Sequence, residues 1–278
     1  MKHSEQSEEK DIKETVPKAR SKKSIYMIIG VLFLIVAIVL LSIIIDRKIK
    51  QSGEDISEEE MIAENTSLTA YGQISQEELI EYIKQSIVRI EAKVPDGAGG
   101  ENTMVGSGVI IDITDDYVDI ATARHVVEQT AKPLVYFNGG SSVYGIVLAY
   151  GKESDVAFVR VETGVLDEGI RESISKAKWA DNDAYEALLL GEEVILIGSV
   201  SEVAGSIQYG TLKEKEKFVE LFQNHMLVCE ASVSGGMSGG GTFNLDGKLI
   251  GIIVGTNGTD TVNVAITDVM SEYRSISY

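Results

Sequence analysis

The sequence predicts an all-β fold of two antiparallel β-barrels, preceded by a single transmembrane helix. Two features of the chain carry this prediction. About ten short apolar segments, separated by turn signals such as Asn138-Gly139-Gly140 and Asp246-Gly247, fill roughly the last two hundred residues. Near the N-terminus, residues 25–45 form an almost uninterrupted apolar run. Many short strands fit a pair of barrels better than an open sandwich, because closure leaves no exposed sheet edge.

The apolar run at residues 25–45 predicts a membrane span, because 21 helical residues can cross a hydrocarbon core about 30 Å thick. No good small-residue cleavage site follows the run, which favours a retained anchor over a cleaved leader. Six Lys and Arg residues lie between Lys10 and Lys23, against three between Arg47 and Lys50. The excess of positive charge predicts an N-terminus in the cytoplasm.

These features predict four regions and their locations. They are a cytoplasmic tail (1–24), the transmembrane helix (25–45), an acidic linker (46–73) and a folded domain (74–278). The prediction is a single-pass protein of the cell membrane whose folded domain lies outside the cytoplasm.

The folded domain is predicted to begin with a helix and to continue in strands. Ser75 and Glu78 form a capping-box pattern that opens a short helix through Ile83. From Val88 to Val94, apolar and charged residues then alternate with the period of a half-buried strand. The further predicted strands are Gly108 to Ile113, Tyr117 to Ala121, Leu134 to Phe137, Ser142 to Ala149, Val156 to Val161, Glu193 to Ile197, Ser206 to Thr211, His225 to Glu230, Lys248 to Val254 and Thr261 to Ile266.

Charge and cysteine content exclude some partners and some kinds of stabilisation. Beyond residue 50 there are 37 acidic and 15 basic residues, a formal charge of −22, which excludes a typical nucleic-acid binder. We interpret this negative charge as a contribution to solubility and not as a means of selecting substrates. The chain has one cysteine, Cys229, so no internal disulfide can form and the domain must rely on its core.

A serine embedded in glycines is the first sign of catalysis. Ser238 lies in the run from Ser234 to Gly241, where glycines let the backbone turn sharply and direct amide groups at one point. A nucleophilic serine needs a base and preformed oxyanion donors. We expect the backbone N–H groups of Gly236 and Ser238 to be those donors.

The base and its orienting acid are predicted from their place in the chain. His125 ends an apolar segment and Asp155 opens another, so the order His125, Asp155, Ser238 is that of the chymotrypsin triad. A lone histidine beside apolar residues is usually a core residue, and Asp155 could be a turn residue before a strand. The other aspartates between His125 and Ser238 are Asp167, Asp181 and Asp183, and the last two look like turn residues.

A second catalytic arrangement can be set aside. Gly236 to Gly240 also match the G-x-S-x-G elbow of α/β-hydrolases, in which the histidine follows the serine. The three histidines of the chain, His3, His125 and His225, all precede Ser238.

Five segments, in order along about two hundred residues, resemble trypsin-like serine peptidases of the HtrA/Deg type. These segments are Gly106 to Ile110, Thr122 to Val126, Asp155 to Val161, Trp179 to Asp183, and the Ser238 loop with Asn244 to Ile252. The resemblance implies a chymotrypsin-like double barrel, no cofactor and no metal. It also implies unfolded or mislocalised polypeptides as substrates, and it allows a homo-oligomer.

The chain departs from this family at two places. The sequence ends at Tyr278, where the family usually carries a PDZ domain, so the expectation is a peptidase without one. Met237 stands where the family usually has asparagine.

The resemblance also implies a specificity pocket. Ser232 aligns with its base, and Val254, Gly255 and Thr256 align with its wall. None of the four is acidic, so we expect small or medium apolar side chains before the cleaved bond.

The sequence thus predicts a membrane-anchored serine endopeptidase. A catalytically silent relative, which binds peptides as a sensor or interaction module, remains the alternative. A transferase or esterase on the same barrels is less favoured, because nothing marks a small-molecule pocket.

Overall fold

The computed structural model describes residues 75–137, 141–199 and 206–276, which all belong to one structural unit. The predicted tail (1–24), membrane span (25–45) and linker (46–73) lie outside the described residues. Within the described ranges, no helix combines the length and the apolar character needed to cross a membrane.

The described ranges are mostly β-structure, with short helices at the connections. The strands are β1 (Ile87–Pro95), β2 (Glu101–Ile113), β3 (Tyr117–Ala123), β4 (Leu134–Tyr136), β5 (Ser142–Tyr144), β6 (Ile146–Tyr150), β7 (Val156–Glu162), β8 (Glu193–Gly198), β9 (Ser206–Val219), β10 (Asn224–Glu230), β11 (Gly241–Asn244), β12 (Leu249–Asn257) and β13 (Asp260–Ala265). The helices are α1 (Gln76–Lys84), α2 (Arg124–Val127), α3 (Glu168–Ser173), α4 (Asn182–Glu186) and α5 (Ile266–Arg274), with one 3₁₀ turn at Thr163–Val165.

Helix α1 begins at the predicted capping box. The Glu78 N–H donates to Ser75 Oγ at 3.2 Å, and the Ser75 N–H donates to Glu78 Oε2 at 2.8 Å. These two bonds satisfy N–H groups that have no partner inside the helix. Leu79 and Ile83 bury the apolar side of the helix in the core.

The prediction of two barrels is confirmed in part. Strands β8 to β13 form a closed antiparallel barrel in the order β10-β13-β12-β11-β8-β9, closed by the pairing of β9 with β10. The first seven strands form a half-barrel, an antiparallel sheet in the order β5-β4-β1-β2-β3-β7-β6. The first barrel therefore differs from the expectation, because its end strands do not pair in a regular ladder.

Irregular hydrogen bonds bridge the open side of the first sheet. The N–H groups of Gly145 and Val147 donate to the carbonyls of Pro133 and Ala131, at 2.9 and 3.1 Å. Pro133 has no N–H to return, so a ladder cannot continue there. Gly145 separates β5 from β6 inside the predicted strand from Ser142 to Ala149, and a Cβ at Gly145 would lie 2.6 Å from the Val159 side chain.

The C-terminal helix α5 follows the second barrel and binds back onto the first sheet. Tyr273 Oη donates to Asp119 Oδ2 at 2.6 Å, and its ring packs against Phe158 with centroids 5.4 Å apart. Asp119 is fully buried and also accepts two hydrogen bonds from Arg160, each 2.7 Å long. A buried carboxylate needs such partners, because an unpaired one is very costly.

Cys229 lies in the core of the second barrel on β10. Burial raises the pKa of its thiol to about 12, so little reactive thiolate forms at neutral pH.

Candidate active site

His125 and Asp155 lie together because their two strands are paired. His125 belongs to α2, which directly follows β3, and Asp155 directly precedes β7. Strands β3 and β7 are antiparallel with Ala123 opposite Val156, so the end of one lies beside the start of the other. The Arg124 N–H also donates to the Asp155 carbonyl at 3.0 Å.

The Asp155 carboxylate contacts His125 with both of its oxygens. The His125 ring Nδ1 lies 2.6 Å from Asp155 Oδ2, and the His125 backbone N–H donates to Oδ1 at 3.0 Å. A carboxylate accepts, so the ring proton belongs on Nδ1 and Nε2 of the neutral ring remains an acceptor. The His125 side chain keeps 39% of its surface exposed, so its ring is accessible to a substrate.

The same contact sets the protonation of His125. The hydrogen bond to Asp155 raises the pKa of His125 above its usual value, and the charges of Asp155 and Glu128 add to the increase. Partial burial acts in the opposite direction. The ring is therefore a stronger base than a free imidazole.

Ser238 is held against the strands that lead to His125. The Ser107 N–H donates to the Ser238 carbonyl at 2.7 Å. A Cβ at Gly106 would lie 2.6 Å from the Val126 side chain and 3.1 Å from the Ser238 carbonyl oxygen. The β2 backbone at Gly106 therefore lies between the helix of His125 and the Ser238 loop.

Gly239 is required at this junction. Its φ is +87°, and a Cβ there would overlap the Ser107 carbonyl oxygen and Thr122 Oγ1. The chain here also contacts the second barrel, because the Gly239 N–H donates to the Ile253 carbonyl of β12 at 2.7 Å. The Ser238 loop is thus fixed to both halves of the domain.

Among the hydrogen bonds of the described residues, none joins Ser238 Oγ to His125. In serine peptidases such a contact often tightens only when substrate binds.

The turn before Ser238 has the geometry of a donor site. The Met237 N–H donates to the Ser234 carbonyl at 3.2 Å, and Gly236, the third residue of this turn, has a φ of +92°. A positive φ at that position is typical of a type II turn and not of type I, and it determines which way the Gly235-Gly236 peptide N–H points. In the described residues, the N–H groups of Gly236 and Ser238 have no hydrogen-bond acceptor.

Ser107 fixes this turn, a role that the sequence did not predict. Its Oγ donates to the Gly236 carbonyl at 2.7 Å and accepts from the Ser199 N–H at 2.8 Å. Ser107 is fully buried. Met237, which is also fully buried, packs with its backbone against Gly198. The only sequence signal for Ser107 is its place between two glycines, Gly106 and Gly108.

Three of the predicted pocket residues lie on β12, and the fourth lies just after β10. Val254 is buried, Gly255 is half-buried and Thr256 is exposed on β12, just after the residue that bonds the Ser238 loop. Ser232 is exposed and follows β10, with β13 lying between the two strands. The pocket assignment itself stays a prediction.

The other candidate residues have structural roles. Asp167 and Asp181 accept hydrogen bonds from N–H groups at the starts of α3 and α4, so both are N-caps. His225 is exposed and packs against the Phe218 ring. The described ranges contain no cluster of three or more residues with metal-binding side chains.

Comparison with a family model and with known sequences gives three findings. The family model described as the trypsin-like peptidase domain matches residues 106–252. The periplasmic serine endoprotease DegP of Salmonella typhimurium is 28% identical over 176 residues, which are 61% of this chain and 34% of DegP. An HtrA-like serine protease of Staphylococcus aureus is 30% identical over 161 residues, 54% of this chain and 20% of that protein. The chain thus spans between a fifth and about a third of the length of these relatives.

A solved structure of the HtrA-type protease AlgW with a tripeptide has the same fold. It superposes with a TM-score of 0.59, is 16% identical, and the match covers 73% of this chain and 64% of that chain.

Proposed function

Because this chain belongs to the trypsin-like peptidase family, we propose that it is a serine endopeptidase with Ser238 as nucleophile, His125 as base and Asp155 as orienting acid. The observation that supports this most is the pair of hydrogen bonds from His125 to the Asp155 carboxylate. They hold the ring in the tautomer that leaves Nε2 free to take a proton.

The proposed reaction passes through an acyl-enzyme. His125 Nε2 takes the proton of Ser238 Oγ as Oγ bonds to the carbonyl carbon of the substrate. The carbonyl oxygen becomes negative, and the N–H groups of Gly236 and Ser238 donate to it. His125 then gives its proton to the amine as the C–N bond breaks. Water, deprotonated by His125, then attacks the ester carbon. The bond from this carbon to Ser238 Oγ breaks, the acid product leaves, and His125 returns the proton to Oγ.

The substrates we propose are unfolded or mislocalised polypeptides, as the likeness to HtrA-type proteases suggests. A scissile bond can reach Ser238 and Gly236 only if the chain around it is extended, which folded substrates resist. A pocket formed by Ser232 and Val254 to Thr256 would accept apolar side chains, because none of these residues can pair with a cation.

We also propose that residues 25–45 anchor the protein in the cell membrane, with the peptidase domain outside the cytoplasm. This proposal rests on the apolar run and on the excess of basic residues before it. Assembly into a homo-oligomer stays a prediction from the resemblance.

Labelling with a fluorophosphonate probe tests the proposed activity, because the probe reacts only with an activated serine. We expect labelling at Ser238, abolished by Ser238→Ala and by His125→Ala. Ser234→Ala is the matched control, since Ser234 is an exposed serine of the same loop and contributes its carbonyl, not its hydroxyl, to the turn. This variant should label like the wild type.

Two other outcomes of the labelling would contradict the proposal. Labelling at Ser234 or Ser232 would reject Ser238 as the nucleophile. A folded wild-type protein that takes no label would favour a catalytically silent peptide-binding module. We favour that alternative less, because a silent module has no need for a base that is hydrogen bonded to a carboxylate beside a glycine-rich serine loop.

A further inference from the structure

We infer that Glu272 of the C-terminal helix is a positioning residue, which holds the turn that presents Asp155 to His125. The inference rests on the proposed function. Glu272 Oε2 accepts from the Lys152 N–H at 2.8 Å, and Oε1 accepts from Ser154 Oγ at 2.6 Å. The two sides of these contacts are about 120 residues apart in the chain.

The turn that Glu272 contacts leads directly to Asp155. It connects β6 to β7 and is closed by the Gly151 N–H, which donates to the Val156 carbonyl at 2.8 Å. Glu272 therefore accepts from the N–H that follows that of Gly151 and from the side chain immediately before Asp155. On its other side, Asp155 contacts the backbone N–H groups of Arg124 and His125. The segment that carries Asp155 is thus held from two directions.

The local sequence fits this close approach. A Cβ at Gly151 would lie 2.6 Å from Glu272 Oε2 and 2.8 Å from Ser154 Oγ, so a larger residue would displace the carboxylate. The helix itself is fixed to the first sheet by the neighbouring residue, because Tyr273 Oη donates to the buried Asp119. The contact between Glu272 and the turn therefore joins two anchored elements.

Glu272 is placed in acidic surroundings. Burial raises the pKa of Asp268, one turn earlier on α5, and the charges of Glu272 and Glu216 raise it further. A third carboxylate in this region is electrostatically unfavourable, and hydrogen bonds to the Asp155 turn offset that repulsion. The charges that affect His125 directly are those of Asp155 and Glu128. Glu272 thus influences His125 through the position of Asp155.

Substitution of Glu272 separates a positioning role from a purely structural one. In Glu272→Gln, the amide oxygen can still accept from the Lys152 N–H, and the amide nitrogen can donate to Ser154 Oγ. In Glu272→Ala both contacts are lost. Ser271→Ala is the matched control, because Ser271 is the exposed neighbour on the same helix.

Peptide cleavage by the full-length protein gives the first result. We expect Glu272→Ala to lower kcat about tenfold with KM little changed, because a displaced Asp155 misaligns the base. In Glu272→Ala the acid limb of the pH profile of kcat/KM should also move to lower pH by about half a unit. The reason is that the contact with Asp155 raises the pKa of His125. Glu272→Gln and Ser271→Ala should both behave like the wild type. A rate loss without the pH shift would reduce Glu272 to a structural contact and overturn the inference.

A second measurement does not depend on turnover. The pKa of His125 can be followed by NMR in the full-length chain with labelled histidine, since the chain has three histidines that substitutions can assign. We expect a lower pKa in Glu272→Ala and an unchanged one in Glu272→Gln. If the wild type neither cleaves peptides nor takes the probe, the proposed activity fails, but this titration still tests Glu272. An unchanged His125 pKa in a folded Glu272→Ala would overturn the inference. Ser154→Ala, which removes one of the two contacts, serves if Glu272→Ala does not fold, and its titration should show a smaller decrease.

Discussion

Ser107 and Gly236 are joined by a hydrogen bond across 129 positions of the chain, from the serine Oγ to the glycine carbonyl at 2.7 Å. The same Oγ accepts from the Ser199 N–H, so one buried hydroxyl connects β2 to the turn before Ser238. The conformation of this turn sets the direction of the Gly236 N–H. The competence of the proposed oxyanion site therefore depends on a residue of the first sheet.

Ser107→Ala should slow acylation more than it weakens substrate binding. The change removes the partner of the Gly236 carbonyl, and we expect kcat to fall about tenfold or more as the oxyanion donors lose alignment. Ser86→Ala is the control, because Ser86 is also buried and its Oγ donates to the Ile83 carbonyl at 2.7 Å. Both variants should lose about 1–3 kcal/mol of unfolding free energy. Equal rates for the two variants would show that Ser107 has no part in catalysis.

Asp155→Asn should change both the rate and its pH dependence. The hydrogen bond and charge of Asp155 raise the pKa of His125, and the neutral ring is the base, so activity rises as pH increases through that pKa. Without the carboxylate the pKa falls and the acid limb moves to lower pH. The maximal rate should drop by a factor on the order of 10⁴, since the ring can adopt the wrong tautomer.

The control for this prediction is Asp181→Asn. Asparagine caps a helix about as well as aspartate, so this variant should keep the wild-type rate and pH profile. A pH–rate profile of Asp155→Asn that superposes on the wild type would contradict the assignment.

Gly239→Ala should destabilise the domain. The residue has a φ of +87°, and its Cβ would overlap the Ser107 carbonyl. We expect a loss of about 2 kcal/mol or more in unfolding free energy, measured by denaturant titration. Gly164→Ala is the comparison, because no heavy atom lies within 4 Å of the Cβ position there, and it should unfold like the wild type. Similar unfolding of the two variants would mean that the backbone at Gly239 is less constrained than we infer.

Cleavage should follow small or medium apolar residues, such as valine, alanine, leucine and threonine. The predicted pocket residues, Ser232 and Val254 to Thr256, include no carboxylate that could pair with a cation. Mass spectrometry of products from an unfolded casein-like protein gives the sites, with Ser238→Ala as the blank. Unfolded substrates should be cut faster than folded ones. Clustering of cuts after lysine or arginine would be incompatible with this pocket.

Protease added to intact cells should degrade the region after Lys50 and leave an N-terminal epitope intact. The reason is the excess of basic residues before the apolar run, which keeps the N-terminus in the cytoplasm. A protected C-terminal domain would reverse the proposed orientation. Release of a soluble mature form from wild-type cells would instead indicate a cleaved leader.

Local patterns in the sequence were sufficient for much of the fold. The capping box at Ser75 and the alternation in β1 act over a few residues, and the structure confirms both. Strand β11, from Gly241 to Asn244, was not predicted, because four residues that follow a glycine run have no clear period. The half-barrel was also missed, since it depends on Pro133 and Gly145 meeting across the sheet.

The sequence by itself predicts the chemistry that we propose for this protein. The order of His125, Asp155 and Ser238 and the glycines around Ser238 are properties of the chain, and they indicate a serine peptidase without reference to the fold. Only the tertiary structure revealed Ser107 and Glu272, which hold the turn before Ser238 and the turn before Asp155. Their contacts join residues more than a hundred positions apart, and a hydrogen bond at that separation leaves no periodic or local signal. It depends on how the two halves of the domain pack, which is a property of the fold as a whole.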